Sequence, residues 1–261
     1  MNDSKIIFDN ASGYDRMMGV WSQLVGDVFL DWLEFNHGGR WLDIGCGTGA
    51  FTQQIIERCS PSEIIGIDPS DDQLQFARSR DGLGSVVFQR GDAMEIPLKN
   101  KQFDAATMAL VLFFVPDPAK GLSEMIRVTK KNGIVAAYVW DMLGGGFPAE
   151  PIQAGLRHMN SNYALPPSVN ISKMDNLRQL WEENGLLSIQ TKTIKVERTF
   201  KSFDEFWEIT SNSASIKTVL SDMEEEKLIE LKQFVKSHFP EPSDGSIRYS
   251  SWANAIQGTV S

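Results

Sequence analysis

Three carboxylates and a run of glycines carry the chemistry within reach of this 261-residue sequence. The run is Trp41-Leu42-Asp43-Ile44-Gly45-Cys46-Gly47-Thr48-Gly49, an apolar strand entering a glycine-rich turn. Glycines at such a turn let a ligand approach the backbone where any side chain would collide. The turn also satisfies the dinucleotide spacing G-x-G-x-x-[GA] through Gly45, Gly47 and Ala50. Asp43 separates the readings. It stands two residues before the first glycine, inside an apolar strand, so its carboxylate is expected near the turn. A pyrophosphate there would face a like charge at short range, whereas an ammonium group would be attracted. The alternative role for Asp43 is to tie down the turn by accepting backbone hydrogen bonds.

Two further acids fall at matching places. Asp68 ends the segment Ile64-Ile65-Gly66-Ile67-Asp68, 19 residues after Gly49, where an acid accepts from two ribose hydroxyls. A helix cap before Pro69 is its alternative, and the two roles can coexist. Asp92 follows a third strand in Arg90-Gly91-Asp92-Ala93, where a carboxylate can accept from an exocyclic adenine amine; its alternative is a turn residue after Gly91. All three lie at the carboxyl ends of adjacent strands, the edge at which open parallel sheets bind ligands.

The elements that must position these residues alternate from residue 40 onward. RWLDIG, EIIGIDPS, SVVFQRGD, FDAATMALVLFFV and IVAAYVWD read as strands. GAFTQQIIERC, DDQLQFARSR and PAKGLSEMIRVTKKNG read as helices, the last with Leu122, Met125, Ile126 and Val128 inward and Asn132-Gly133 as its stop. Each parallel pair needs a crossover helix, so the pattern predicts an α/β, doubly wound, mostly parallel sheet with an added helical cap. A single domain is expected over 1–261, with a core at 40–141. Residues 1–39, 142–172 and 201–246 are expected on the substrate side. MDNLRQLWEENGLLSIQTKTIKVERTF adds a helix stopped at Gly185 and then a strand, and IRYSSWANAIQGTV a last strand.

In order and spacing, LDIGCGTG, IGIDPS, GDAMEIP, FDAATMALVLFFVPDP and EMIRVTKKNG resemble the class I S-adenosylmethionine-dependent methyltransferases, of the ubiquinone/menaquinone-biosynthesis type. The resemblance implies a seven-stranded Rossmann-like sheet, S-adenosylmethionine as cofactor and in-line methyl transfer, while Phe147, Met159, Phe203, Phe206 and Trp207 in the added segments suggest a small, partly apolar acceptor. It implies that Asp43 and the turn Gly45, Cys46, Gly47, Thr48 and Gly49 hold the methionine part. It places Asp68 at the ribose and Asp92-Ala93 at the adenine, and it counts Pro69, Gln73, Met94 and Ala109 among the cofactor-binding residues. Tyr14 and Trp21 resemble the segment that closes over the cofactor. The chain departs from the pattern twice, with Phe114 where relatives usually show a histidine before Val-Pro-Asp-Pro, and with Lys131-Asn132-Gly133 where they tend to have Pro-Gly-Gly.

No catalytic base or metal site emerges. His37 reads as a surface turn residue and His238 as a helix cap, while His158, Tyr138 and Tyr163 stay open as substrate-facing groups. Cys46 reads as a small packing residue. With Lys+Arg 25 against Asp+Glu 34, the net charge of −9 argues against nucleic acid or an anionic membrane as partner. Two cysteines, no signal pattern and an apolar run too short to span a bilayer predict a soluble, cytoplasmic protein. A catalytically silent S-adenosylmethionine-binding sensor or partner subunit is the alternative. A nicotinamide-dependent oxidoreductase is disfavoured by Asp43 and by the absence of a Tyr-x-x-x-Lys pattern.

Overall fold

A computed structural model describes residues 18–35, 38–240 and 245–261. Helix α1 (Val20–Leu33) precedes the alternating core of β1 (Arg40–Ile44), α2 (Ala50–Cys59), β2 (Glu63–Asp68), α3 (Asp71–Ser79), β3 (Val87–Arg90), β4 (Phe103–Ala109), α4 (Pro118–Val128) and β5 (Thr129–Trp140). Then come α5 (Glu150–His158), α6 (Met174–Glu183), β6 (Leu187–Phe200), α7 (Phe203–Thr210), α8 (Ala214–Ser221), α9 (Glu225–Ser237) and β7 (Ile247–Thr259). The strands form one seven-stranded sheet, ordered β3-β2-β1-β4-β5-β7-β6. β1 to β5 pair in parallel, while β7 runs antiparallel to both β5 and β6. The doubly wound, mostly parallel sheet predicted from the sequence is the fold observed.

Local chemistry explains the boundaries. Asp117 accepts from the Lys120 amide and Pro118 opens α4, a capped start that needs no donor at its first position. That helix ends earlier than expected. Thr129 is extended, its hydroxyl donates to the Met125 carbonyl, and it already pairs with Phe103 of β4. Asn132, at φ 63°, therefore marks an irregularity inside β5 rather than a helix stop. Ile126, expected inward with its neighbours, is only half-buried. The fourth strand likewise stops at Ala109, and Leu112–Phe114 forms a 3₁₀ turn where an apolar run had read as strand.

The last two strands outgrow the sheet. β5 ends at Trp140, which pairs with Ala253, so Ile247 to Trp252 pair with β6 alone. At roughly 3.3 Å per residue, this two-stranded arm projects ~20 Å past the carboxyl end of β5. Trp21 of α1 packs on Phe200 and Tyr249 of the arm, with ring centroids 6.4 and 6.2 Å away. Phe206 of α7 packs on the same two rings at 5.2 and 5.7 Å. Further down, Phe29 of α1 meets Tyr138 of β5 at 4.7 Å, closing the face that α1 and α2 cover.

Candidate functional site

The turn between β1 and α2 is held from below by β2. The amides of Gly45 and Cys46 both donate to the Ile67 carbonyl, at 2.8 and 3.0 Å. All three glycines take positive φ (70°, 52° and 78° at 45, 47 and 49), which explains why this residue type is needed there. Space assigns them different jobs. A methyl group on Gly45 would collide with Val111, and one on Gly49 would stand 2.8 Å from Leu83 Cδ1. On Gly47 it would meet nothing nearer than Gln73 Oε1 at 3.9 Å. Gly45 and Gly49 serve packing, and Gly47 opens the surface on which a ligand can lie.

Asp43 sits beneath this surface and is only 1% exposed. Its Oδ2 accepts from the buried Thr52 hydroxyl of α2 at 2.6 Å. Its Oδ1 has no hydrogen-bond partner among the described residues. Burial pushes the carboxyl up to about 7, against the Thr52 hydrogen bond that favours the charged form. Tying the turn by backbone hydrogen bonds, the alternative role, is not what this carboxylate does. That task falls to Asp68, which accepts from the Gly47 amide and from the Ser70 amide, both at 2.9 Å. Burial raises the Asp68 carboxyl too, while those two amides lower it. The helix cap expected of Asp68 belongs to Ser70, whose hydroxyl accepts from the Gln73 amide.

Asp92 keeps the turn role, its Oδ1 accepting from the Met94 amide at 2.7 Å, and its side chain is exposed beside the half-buried Ala93 and Met94. The Gly91 amide donates to the Asp68 carbonyl, which sets the ends of β2 and β3 side by side. Gln73 faces Gly47, Pro69 is exposed at the rim, and Thr48 is buried. Cys46 packs with Leu74, Ala77, Leu83 and Phe88, as its size predicts, and burial raises its thiol. Ala109 ends β4 on the other flank. Leu110 follows at φ 61°, a left-handed conformation that is costly for a leucine, with its amide on the Tyr138 carbonyl. Val111 then lies against Gly45. Sequence reasoning missed Thr52, Leu110 and Val111, because their partners are set by tertiary contacts.

The other expected residues have partners of their own. Trp21 is buried in the arm's aromatic cluster, as its large apolar ring demands. Tyr14 and His37 lie outside the described residues. His158 is exposed and stacks on Phe234 of α9 at 4.4 Å. His238 caps α9, its ring on the Phe234 carbonyl. Tyr138 is core, and Tyr163 accepts from Arg157. No group of three or more His, Cys, Asp or Glu able to hold a metal occurs among the described residues. No helix among them is long and apolar enough to cross a membrane. A groove of about 620 Å³ lies among α7, α9 and the start of β7, but it includes no residue of the turn.

Residues 42–137 match a family model described as a methyltransferase domain. The chain is 26% identical over 212 residues to a demethylmenaquinone methyltransferase of Staphylococcus aureus, covering 72% of this chain and 86% of that one. It is 32% identical over 124 residues to a chloroplastic 2-methyl-6-phytyl-1,4-hydroquinone methyltransferase of rice, Oryza sativa subsp. japonica. That match covers 46% of this chain and only 36% of the rice protein's length. Among solved structures, Haemonchus contortus phosphoethanolamine N-methyltransferase 2, in complex with S-adenosylmethionine, superposes with a TM-score of 0.57 at 19% identity. That superposition covers 95% of this chain and 56% of the other, and it shows a shared fold.

Proposed function

We propose, from a chain that belongs through its residues 42–137 to the class I S-adenosylmethionine-dependent methyltransferases, that it methylates a small, partly apolar molecule held over the carboxyl edge of the sheet. The observation that carries this reading is the buried Asp43 Oδ1, unpartnered among the described residues, beside the open surface of Gly47. A cationic, amino-acid-bearing nucleoside fits that arrangement and a pyrophosphate does not. When bound, S-adenosylmethionine supplies an electrophilic methyl group on a sulfonium.

The chain's own residues do the rest. Asp43 receives the ammonium group, and Gly47 keeps the backbone open to it. Asp68 retains unused lone pairs for the ribose hydroxyls after its two backbone hydrogen bonds. Asp92 offers Oδ2 to the adenine amine. Residues 142–172 and 201–240 cover the acceptor and exclude water, and the acceptor supplies the nucleophile. The quinone-related relatives support a ring-shaped acceptor of this kind.

Turnover over hydroquinones, phenols, amines and carboxylic acids, read as S-adenosylhomocysteine released, tests the reading. Turnover with a ring-bearing, uncharged acceptor is expected. Tight S-adenosylhomocysteine binding without turnover on any class would favour a silent binder instead.

A further inference from the structure

Trp140, the last residue of β5, is 1% exposed, and its indole Nε1 has no hydrogen-bond partner among the described residues. Ser251 of β7 is fully buried, and its Oγ is unpartnered in the same sense. Trp140 pairs with Ala253, and Ser251 stands two residues from Ala253 along an unbroken strand. The two side chains therefore share one face of the sheet, within diagonal reach. It is the face on which Tyr138 meets Phe29 and Phe51, at the edge where the cofactor turn lies.

Gln153 of α5 is also fully buried, and neither its Oε1 nor its Nε2 has a partner among the described residues. The loop before α5 is pinned to the arm by the Trp252 amide on the Gly146 carbonyl, at 3.0 Å. Further along α5, Gly155 presses on α9, where a Cβ would come 2.5 Å from Leu231 Cδ1. Two residues apart on a helix is about 200°, so Gln153 points away from α9, and it stands one turn after Glu150, whose charge acts on Tyr249 of the arm, two residues from Ser251.

Four buried polar atoms left unpaired cost about 1–3 kcal/mol each unless something answers them. Solvated surface or apolar residues would avoid that cost. We propose that Trp140, Gln153 and Ser251 form a hydrogen-bonding subsite for an uncharged hydroxyl or carbonyl group on the methyl acceptor. The donor set fits that chemistry. An indole N–H only donates, while the amide and the hydroxyl both donate and accept. None of the three carries a charge, so a carboxylate or an ammonium group there would be desolvated without a counter-ion. This subsite rests on the methyltransferase reading above and adds to it the chemical class of the acceptor.

The test uses the full chain saturated with S-adenosylhomocysteine, titrated calorimetrically with four probes: naphthol, naphthalene, naphthoate and naphthylmethylammonium. Naphthol is expected to bind at least about tenfold tighter than the other three. Gln153→Leu and Ser251→Ala, made singly, are each expected to remove most of that preference while leaving naphthalene and S-adenosylhomocysteine affinities unchanged. The unchanged S-adenosylhomocysteine affinity also reports that each variant has folded. Preference for naphthoate or the ammonium probe, equal binding of all four, or full selectivity in both variants would overturn the subsite. If wild-type protein fails to bind S-adenosylhomocysteine at the outset, the methyltransferase reading itself falls. Wild-type protein that binds S-adenosylhomocysteine but does not select among the probes removes only the subsite.

Discussion

With Asp43 as the proposed receiver of the ammonium group, ligand affinity depends on pH through a single buried carboxyl. Burial raises it to about 7, whereas the unfolded chain titrates it near 4, so between those values the folded state holds the extra proton. Its contribution to stability is therefore present at low pH and is lost as pH rises through that window. Receiving an ammonium group needs the charged form, so affinity for S-adenosylhomocysteine is expected to climb from pH 5 to about 7 and then level off. Calorimetry in buffers of differing ionisation enthalpy should record proton release below pH 7. Asp43→Asn is expected to abolish both trends, and a flat wild-type profile would remove Asp43 from the site. Thr52 acts as a positioning residue. Thr52→Val deletes the hydrogen bond that favours the carboxylate, so the rise in affinity moves to higher pH, and Thr52→Ser restores it. Asp68→Ala is expected to weaken binding by about 1–3 kcal/mol through unpaired ribose hydroxyls. An unchanged dissociation constant would exclude Asp68.

At the scale of elements, the glycine turn separates packing from ligand approach. Gly45→Ala drives a methyl into Val111 at positive φ, so its unfolding free energy should fall by more than 1–3 kcal/mol, roughly the scale of a strained overpacked site. Gly47→Ala meets open space, so it should lose less stability and more cofactor affinity; denaturant titration beside calorimetry checks the contrast. Equal losses in both quantities would contradict this division. These elements were legible because periodicity and stop signals are local: Gly185 ends α6 at φ 73°, and β1, β2 and β4 are apolar on both faces. The end of α4 was misjudged because Thr129 is claimed by Phe103 across the sheet, a long-range contact that overrides the Asn-Gly signal. His158 was left open for a related reason. Its chain position after β5 is local, but its stacking on Phe234 is not. The three strand-end carboxylates were legible as a set, while Thr52, Leu110 and the polar atoms at the end of β5 gained meaning only from the fold.

For the whole molecule, a parallel core carries the glycine turn and an antiparallel arm reaches beyond it. α1 and α7 meet on the arm through Trp21, Phe200, Phe206 and Tyr249. Phe206→Ala, at a fully buried position, is expected to cost about 3–5 kcal/mol and to lower the melting temperature, with cofactor affinity retained because the turn is held by β2. Lost affinity at full folding would mean that the arm completes the cofactor site. The central claim, that the turn over Asp43 and Asp68 takes an adenosyl amino acid, is met most directly by one calorimetric comparison of S-adenosylhomocysteine with NAD at pH 7.5. Single-site binding of S-adenosylhomocysteine and none of NAD is the expected result. Binding of NAD without S-adenosylhomocysteine would contradict the account.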